Sequence, residues 1–192
     1  AYVWSSGVKP GPILTRDGQI LIASLRYLYC FGYDGFYNWS FKFRNEAGQY
    51  ISIVIDDSNF VYVGLDRNLD GKIGIYQLNS KGELIWENHE FGGSLMVLDN
   101  GNILAVSSST GCFSKNGQLI WQLNSIGGDF CLLNNGNILI YDNGGSGGYP
   151  PIVRFFTRLV EIDPISGEVV WEYVYRPSPR RFLSITTGGV QR

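Results

Sequence analysis

The feature that most limits what this chain can become is a repeat. GELIWENHEFGGSLMVLDNGNILAV begins at Gly82, and GQLIWQLNSIGGDFCLLNNGNILIY begins at Gly117, 35 residues later. The Trp, the paired glycines and the NGNIL run fall in step. A period of that length marks propellers and solenoids, in which each repeat buries its apolar face only by stacking on the next. Weaker copies extend the pattern. Val3-Trp4 is followed by PILTRDGQIL from Pro12, ISIVIDDSNFVYVGL runs from Ile51, and the last full copy ends in TRLVEIDPISGEVVWEY, Thr157 to Tyr173.

Each copy resolves into four short strands. An NG, DG or SN turn follows the first strand, a Gly-bearing turn precedes the fourth, and the fourth carries the Trp. In the last copy Pro164 fixes φ at the start of the turn and Gly167 supplies a position open to φ > 0. The 25 glycines sit mostly in such turns between apolar runs, so they punctuate strands rather than mark disorder. No window carries a helical stripe with caps. The reading is an all-β protein, a β-propeller of four-stranded antiparallel blades, about four of them plus partial flanking strands. The blades fall at about residues 11–44, 50–88, 92–123 and 127–175 of a single propeller domain or propeller fragment, 1–192. A parallel β-helix is the other architecture for such a period, but its coils are shorter and lack hairpin turns. Trp39, Trp86, Trp121 and Trp171 then pack blade on blade. Trp4 would belong to a preceding blade and residues 182–192 to a following one, so the ring is expected to be incomplete as given.

Charge and cysteine content narrow the function classes. Fifteen Lys and Arg stand against 17 Asp and Glu, a net charge of −2, and no basic cluster forms, so nucleic acid is not an expected partner. No apolar run is long enough for a membrane-spanning helix. The three cysteines, Cys30, Cys112 and Cys131, lack metal-ligand spacing and lie among apolar residues, which reads as buried thiols; a disulfide stays open. Asn38-Trp39-Ser40 is a glycosylation sequon that matters only in a eukaryotic secretory setting. Open strand edges and blade faces predict self-association, a partner chain that completes them, or a strained small ring closed by the terminal strands.

At the Trp hairpins the chain resembles the quinoprotein-like propeller superfamily. EIDPISGEVVW matches that superfamily's docking motif with Asp163, Gly167 and Trp171, while GYDGFYNW, QLNSKGELIW and CFSKNGQLIW match its second half. Asp163 is then expected to accept backbone N–H groups at its turn. A narrower resemblance is to the arylsulfotransferase branch, through GGDFCLLNNGNIL at Gly127, TRLVEIDP at Thr157 and the terminal GGVQR. The resemblance implies a periplasmic or extracellular setting and rings of six or eight blades. In that family a histidine is the nucleophile that takes the sulfuryl group and an Arg helps hold the sulfate. Where paired histidines would stand, this chain has Gly92-Gly93 and Gly127-Gly128, and glycine offers no lone pair to a sulfur centre.

The remaining candidates are few. His89 is the single histidine and reads as a loop residue near a strand end. Arg158, in the position of the family's Arg, and Arg192 are the candidate anion contacts. Arg154 and Tyr149 could join them on the rim of the Gly-rich insertion NGGSGGYPP, which lacks the GK[ST] of a phosphate loop. Asp66, Asn68 and Asp70, followed by Gly71, have a spacing that can wrap a calcium ion, although Gln77 stands where a bidentate Glu belongs. A polar β-turn explains the same letters. No other cofactor is expected. Asp56-Asp57 reads as a solvated turn. The functional expectation is a non-catalytic or catalytically incomplete propeller that binds or scaffolds. The alternative is part of an arylsulfotransferase-like enzyme that moves sulfate from an aryl sulfate to a phenol; a quinone-dependent dehydrogenase is a distant third.

Overall fold

A computed structural model describes residues 11–24, 26–44, 51–66, 73–143 and 156–175. Every regular element among them is a strand. The first sheet is β1 (Ile13–Leu14), β2 (Ile20–Ala23), β3 (Tyr27–Phe31) and β4 (Tyr37–Lys42), and the second is β5 (Ile51–Ile55), β6 (Val61–Leu65), β7 (Gly74–Leu78) and β8 (Leu84–Asn88). The third is β9 (Ser94–Val97), β10 (Ile103–Val106), β11 (Thr110–Phe113) and β12 (Leu119–Leu123), and the fourth is β13 (Gly128–Leu132), β14 (Ile138–Asp142), β15 (Arg158–Ile162) and β16 (Val169–Val174). In each sheet, neighbours in sequence are neighbours in space, and the recorded ladders are antiparallel. That meander removes the parallel β-helix. The expected flanking strands around Trp4 and at 182–192 lie outside the described residues.

Turn chemistry sets this pattern. Between the third and fourth strands of the first three sheets the same backbone lock recurs. Gly32, Asn79 and Ser114 each exchange bonds across the turn, and each accepts the N–H of a glycine three residues on, Gly35, Gly82 and Gly117. Those glycines have φ of 82°, 79° and 79°. In the fourth sheet the loop is one residue longer and Gly167 closes it onto the Asp163 carbonyl. There Asp163 Oδ1 accepts the Ile165 N–H at 2.8 Å, the turn role expected of it.

The chain divides into two compact units, Ala1–Ala105 with Ser114–Gln118, and Val106–Phe113 with Leu119–Arg192. In the first unit the core joins Leu21, Leu28 and Cys30 to Ile53, Val63, Tyr76 and Leu78, with Phe41 and Phe43 edge-on and tilted against Tyr76. Strands β6 and β7 are buried along their whole length, as expected of strands covered on both faces. Strands β2 and β3 instead alternate between buried and more accessible positions. In the second unit β11 is buried throughout, whereas β14 alternates and β15 mostly does. No helix among the described residues is long and apolar enough to cross a membrane.

Candidate functional site

The glycine pairs sit at the start of the first strands of the third and fourth sheets, β9 and β13, and their surroundings explain their identity. In the first unit the Gly93 N–H donates to the Leu65 carbonyl at 3.2 Å, and the Leu95 N–H donates to Ser52 Oγ at 3.0 Å, so β9 is stitched directly to the second sheet. A Cβ on Gly92 would drive into the Leu65 carbonyl oxygen and lie 2.9 Å from the Gly74 nitrogen. In the second unit a Cβ on Gly127 would collide with the Ser107 carbonyl, and one on Gly128 with the Tyr141 carbonyl. Contacts of that kind oppose fixed backbone rather than a side chain that can swing away. The residue at these places is glycine because two backbones touch there.

His89, just past β8, is partly buried, with Nε2 3.4 Å from Glu87 Oε2 and its ring edge-on to Tyr76 at 5.7 Å. It lies beside the glycine pair in sequence but is engaged by its own strand and by the core tyrosine.

Arg158 opens β15, directly opposite Asp142 in the ladder. Its Nε donates to Asp142 Oδ2 at 2.7 Å and its Nη1 to Glu172 Oε1 at 3.0 Å, while Asp142 Oδ1 accepts the Gly127 N–H at 3.3 Å. Burial works against the guanidinium charge, but the two carboxylates outweigh it and raise its pKa above the ordinary value. The donors of Arg158 thus tie β14, β15 and β16 together and, through Asp142, reach the Gly127 backbone. Arg192, Arg154 and Tyr149 lie outside the described residues, as do Asn68 and Asp70, so Asp66 alone of the calcium spacing is described. Among the described residues, no group of three or more His, Cys, Asp or Glu is placed to hold a metal ion.

A polar cluster that the sequence did not signal lies in the first unit. Asp56 is buried, not solvated. Its Oδ1 accepts the Ser58 and Phe60 N–H groups at 2.8 and 2.9 Å, and Oδ2 accepts the Tyr62 hydroxyl at 3.2 Å. Lys115, delivered by the turn before β12, places Nζ 3.2 Å from Asp56 Oδ2 and 5.2 Å from the Phe60 ring centre. Gln77 donates to the Tyr62 oxygen at 2.7 Å. Burial, and then the Asp56 carboxylate, push the Tyr62 hydroxyl well above its usual pKa. Asp57, by contrast, is exposed and pairs with Arg16. The Asp56 cluster is a clamp that fixes a turn, with Lys115 half-exposed at its edge.

The tryptophans form the most regular feature. Trp39 Nε1–H donates to the Ser80 carbonyl, Trp86 to Lys115 and Trp121 to Pro164, each at 3.1 Å. In every case the acceptor is the second residue of the next sheet's third-to-fourth-strand turn. The turn glycine lies on the indole face: a Cβ on Gly117 would come within 2.6 Å of Trp86, and one on Gly167 within 2.5 Å of Trp121. Trp171 occupies the same place on β16 but is 47% exposed and stacks on Tyr173 of its own strand, ring centres 6.3 Å apart. Cys30 and Cys112 are buried thiols, and Cys131 is half-buried. Burial pushes the Cys112 thiol up to about 11.

No family model matches the chain. No curated protein matches it either. Among solved structures the chain is similar to BamB from Moraxella catarrhalis, at 17% identity and a TM-score of 0.59 over 90% of this chain and 49% of that one. It is similar to the Pan2 WD40 domain of Neurospora crassa, at 15% identity and a TM-score of 0.54 over 84% and 48%. A protein of unknown function from Bacteroides caccae gives 18% identity and a TM-score of 0.52 over 84% and 59%. The chain thus spans between 48% and 59% of the lengths of these structures. At such identities the likeness is one of fold, and the fold is the β-propeller, with the four sheets as its blades.

Proposed function

We propose that this chain is a non-catalytic binding or scaffold module. The observation that carries the reading is the fit of the glycine pairs. At Gly92 and Gly127, where the resembled enzymes carry histidines, a side chain of any kind would meet neighbouring backbone. An imidazole at either place would require the backbone at Leu65 or Ser107 to move away, so these positions serve contact between strands. The reading is supported by the structural engagement of His89, which lies against Glu87 and Tyr76, and of Arg158, which pairs with two carboxylates. The alternative, part of an arylsulfotransferase-like enzyme, has the sequence resemblance of GGDFCLLNNGNIL and TRLVEIDP on its side.

A sulfuryl-transfer assay with an aryl sulfate donor and a phenol acceptor separates the two, run on the full chain and on His89→Gln. No turnover above the protein-free rate is expected from either. Turnover by the wild-type chain overturns the proposal, and its loss in His89→Gln would identify the nucleophile.

A further inference from the structure

Three Asn-Gly steps lie among the described residues, Asn100-Gly101, Asn116-Gly117 and Asn135-Gly136. All three close the same kind of turn. The glycine N–H donates to the carbonyl three residues back, that of Leu98, Ser114 or Leu133, at 2.8, 2.9 and 3.0 Å, and the glycines have φ of 81°, 79° and 86°. An Asn followed by Gly is the step at which a side-chain amide is most open to attack by the next backbone nitrogen, because no Cβ stands in the way. By sequence and backbone the three are alike.

Their side chains separate them. Asn100 Oδ1 accepts the Asn102 N–H at 3.0 Å. Asn135 Oδ1 accepts the Asn137 N–H at 3.1 Å, and its Nδ2 donates to Glu161 Oε1 at 3.0 Å. Both amides are thus held in Asx turns, and ring closure onto the glycine nitrogen must first break those bonds. In the Ser114 turn the corresponding N–H, that of Gln118, donates instead to Ser114 Oγ at 3.1 Å. Leu98 and Leu133 hold the place of Ser114 in the other two turns and have no side-chain oxygen to compete. Asn116 is left exposed, its amide without a hydrogen bond among the described residues.

We propose that Asn116 is a self-modification site, the Asn-Gly step of this chain that deamidates first, and that the change loosens the turn that seats Trp86. The Gly117 nitrogen attacks Cγ of Asn116. The new N–Cγ bond forms as the Cγ–Nδ2 bond breaks, and the Gly117 proton ends on the departing nitrogen, which leaves as ammonia. Water then opens the succinimide at either carbonyl, giving aspartate or isoaspartate; nothing is oxidised or reduced. Isoaspartate routes the main chain through Cγ and lengthens the turn by one carbon. That turn carries two contacts: the Lys115 carbonyl accepts the Trp86 Nε1–H at 3.1 Å, and Lys115 Nζ lies 3.2 Å from Asp56 Oδ2. Gly117 itself lies on the Trp86 ring. The proposal goes beyond the binding or scaffold reading and holds whether or not the chain is catalytic.

The test is peptide mapping by mass spectrometry on the full chain and on Ser114→Ala, sampled during incubation in mildly alkaline buffer, with fragment masses assigning each conversion to its site. Conversion at Asn116 is expected to run about fivefold faster than at Asn100, the effect of one hydrogen bond, and faster still than at Asn135, which has two. In Ser114→Ala the Gln118 N–H becomes available to Asn116 Oδ1, and conversion there is expected to fall to the Asn100 rate. The converted wild-type chain is expected to exchange its Trp86 indole N–H faster than fresh chain does. Faster conversion at Asn100 or Asn135 overturns the proposal, because the packing of Gly117 on Trp86 would then govern the rate. So does a wild-type chain that converts at none of the three, or a Ser114→Ala chain that converts at Asn116 as fast as wild type. Unchanged Trp86 exchange in the converted chain overturns the loosening of its seat.

Discussion

Trp121 and Trp171, both in the second unit, stand at the same place on the fourth strands of successive sheets, and their difference shows how the fold is held. Each sits on the fourth strand of its sheet, just after a break in register. Trp121 donates to Pro164 and lies against Gly167; Trp171 lies against Tyr173. Opposite Trp121 in the ladder is Cys112, fully buried, and opposite Trp171 is Glu161, which accepts bonds from Asn135 and Asn137. Trp121 thus covers a dry, apolar position, while Trp171 shares its face with a partly buried carboxylate. The motif supplies the capacity to dock, and the turn that meets it determines whether that capacity becomes stability.

The largest expected contrast is in truncation. Trp121→Ala is expected to cost about 3 kcal/mol, since it removes a large packed aromatic and leaves a cavity under the Pro164 turn. Trp171→Ala is expected to stay within about 0.5 kcal/mol, as exposed substitutions do. Denaturant melts at low protein concentration measure both, and equal losses would break the comparison. Next comes the turn side of the same contact. Gly167→Asn places a Cβ 2.5 Å from the Trp121 ring and is expected to cost about 2 kcal/mol through overpacking. Gly35→Asn, where space is open, is expected to cost under about 1 kcal/mol from backbone conformation alone.

The smallest effect concerns the dry position beneath Trp121. Because burial raises the folded-state pKa of Cys112 from 9.0 to about 11, the folded chain holds the thiol proton more tightly than the unfolded chain. The corresponding stability is fully present below about pH 9 and is lost as pH rises towards 11. Between pH 8 and pH 10 the wild-type chain should lose roughly 1 kcal/mol more than Cys112→Ala. An identical pH dependence in the two would mean that the position is wet.

Much of this was legible in the sequence because it is local and repeated. NG and DG steps mark hairpins, the period marks the sheets, and the Gly-x-x-x-Trp spacing marks outer strands, so the all-β class and four four-stranded antiparallel sheets could be read directly. What escaped depends on register and on distant parts of the chain. That Arg158 faces Asp142 across the ladder, with Glu172 within reach, is not written in its local sequence. Asp56-Asp57 reads as a solvated turn until Lys115 arrives and Tyr62 is laid beneath Asp56. The paired glycines were visible as missing histidines, but the reason for glycine, the Leu65 and Ser107 carbonyls, belongs to contact between strands that no local pattern encodes. EIDPISGEVVW is the fullest match to the docking motif, yet among the described tryptophans its Trp171 is the one stacked on its own strand rather than on a described turn glycine, because a motif does not record what comes to meet it.

Hydrogen exchange of the individual indole N–H groups, followed by NMR in a dilute sample and assigned with single Trp→Phe variants, tests the central claim most directly. Slow exchange at Trp39, Trp86 and Trp121, with Trp171 close to the rate of a free indole, is the predicted result. A Trp171 indole protected as strongly as that of Trp121 would contradict it.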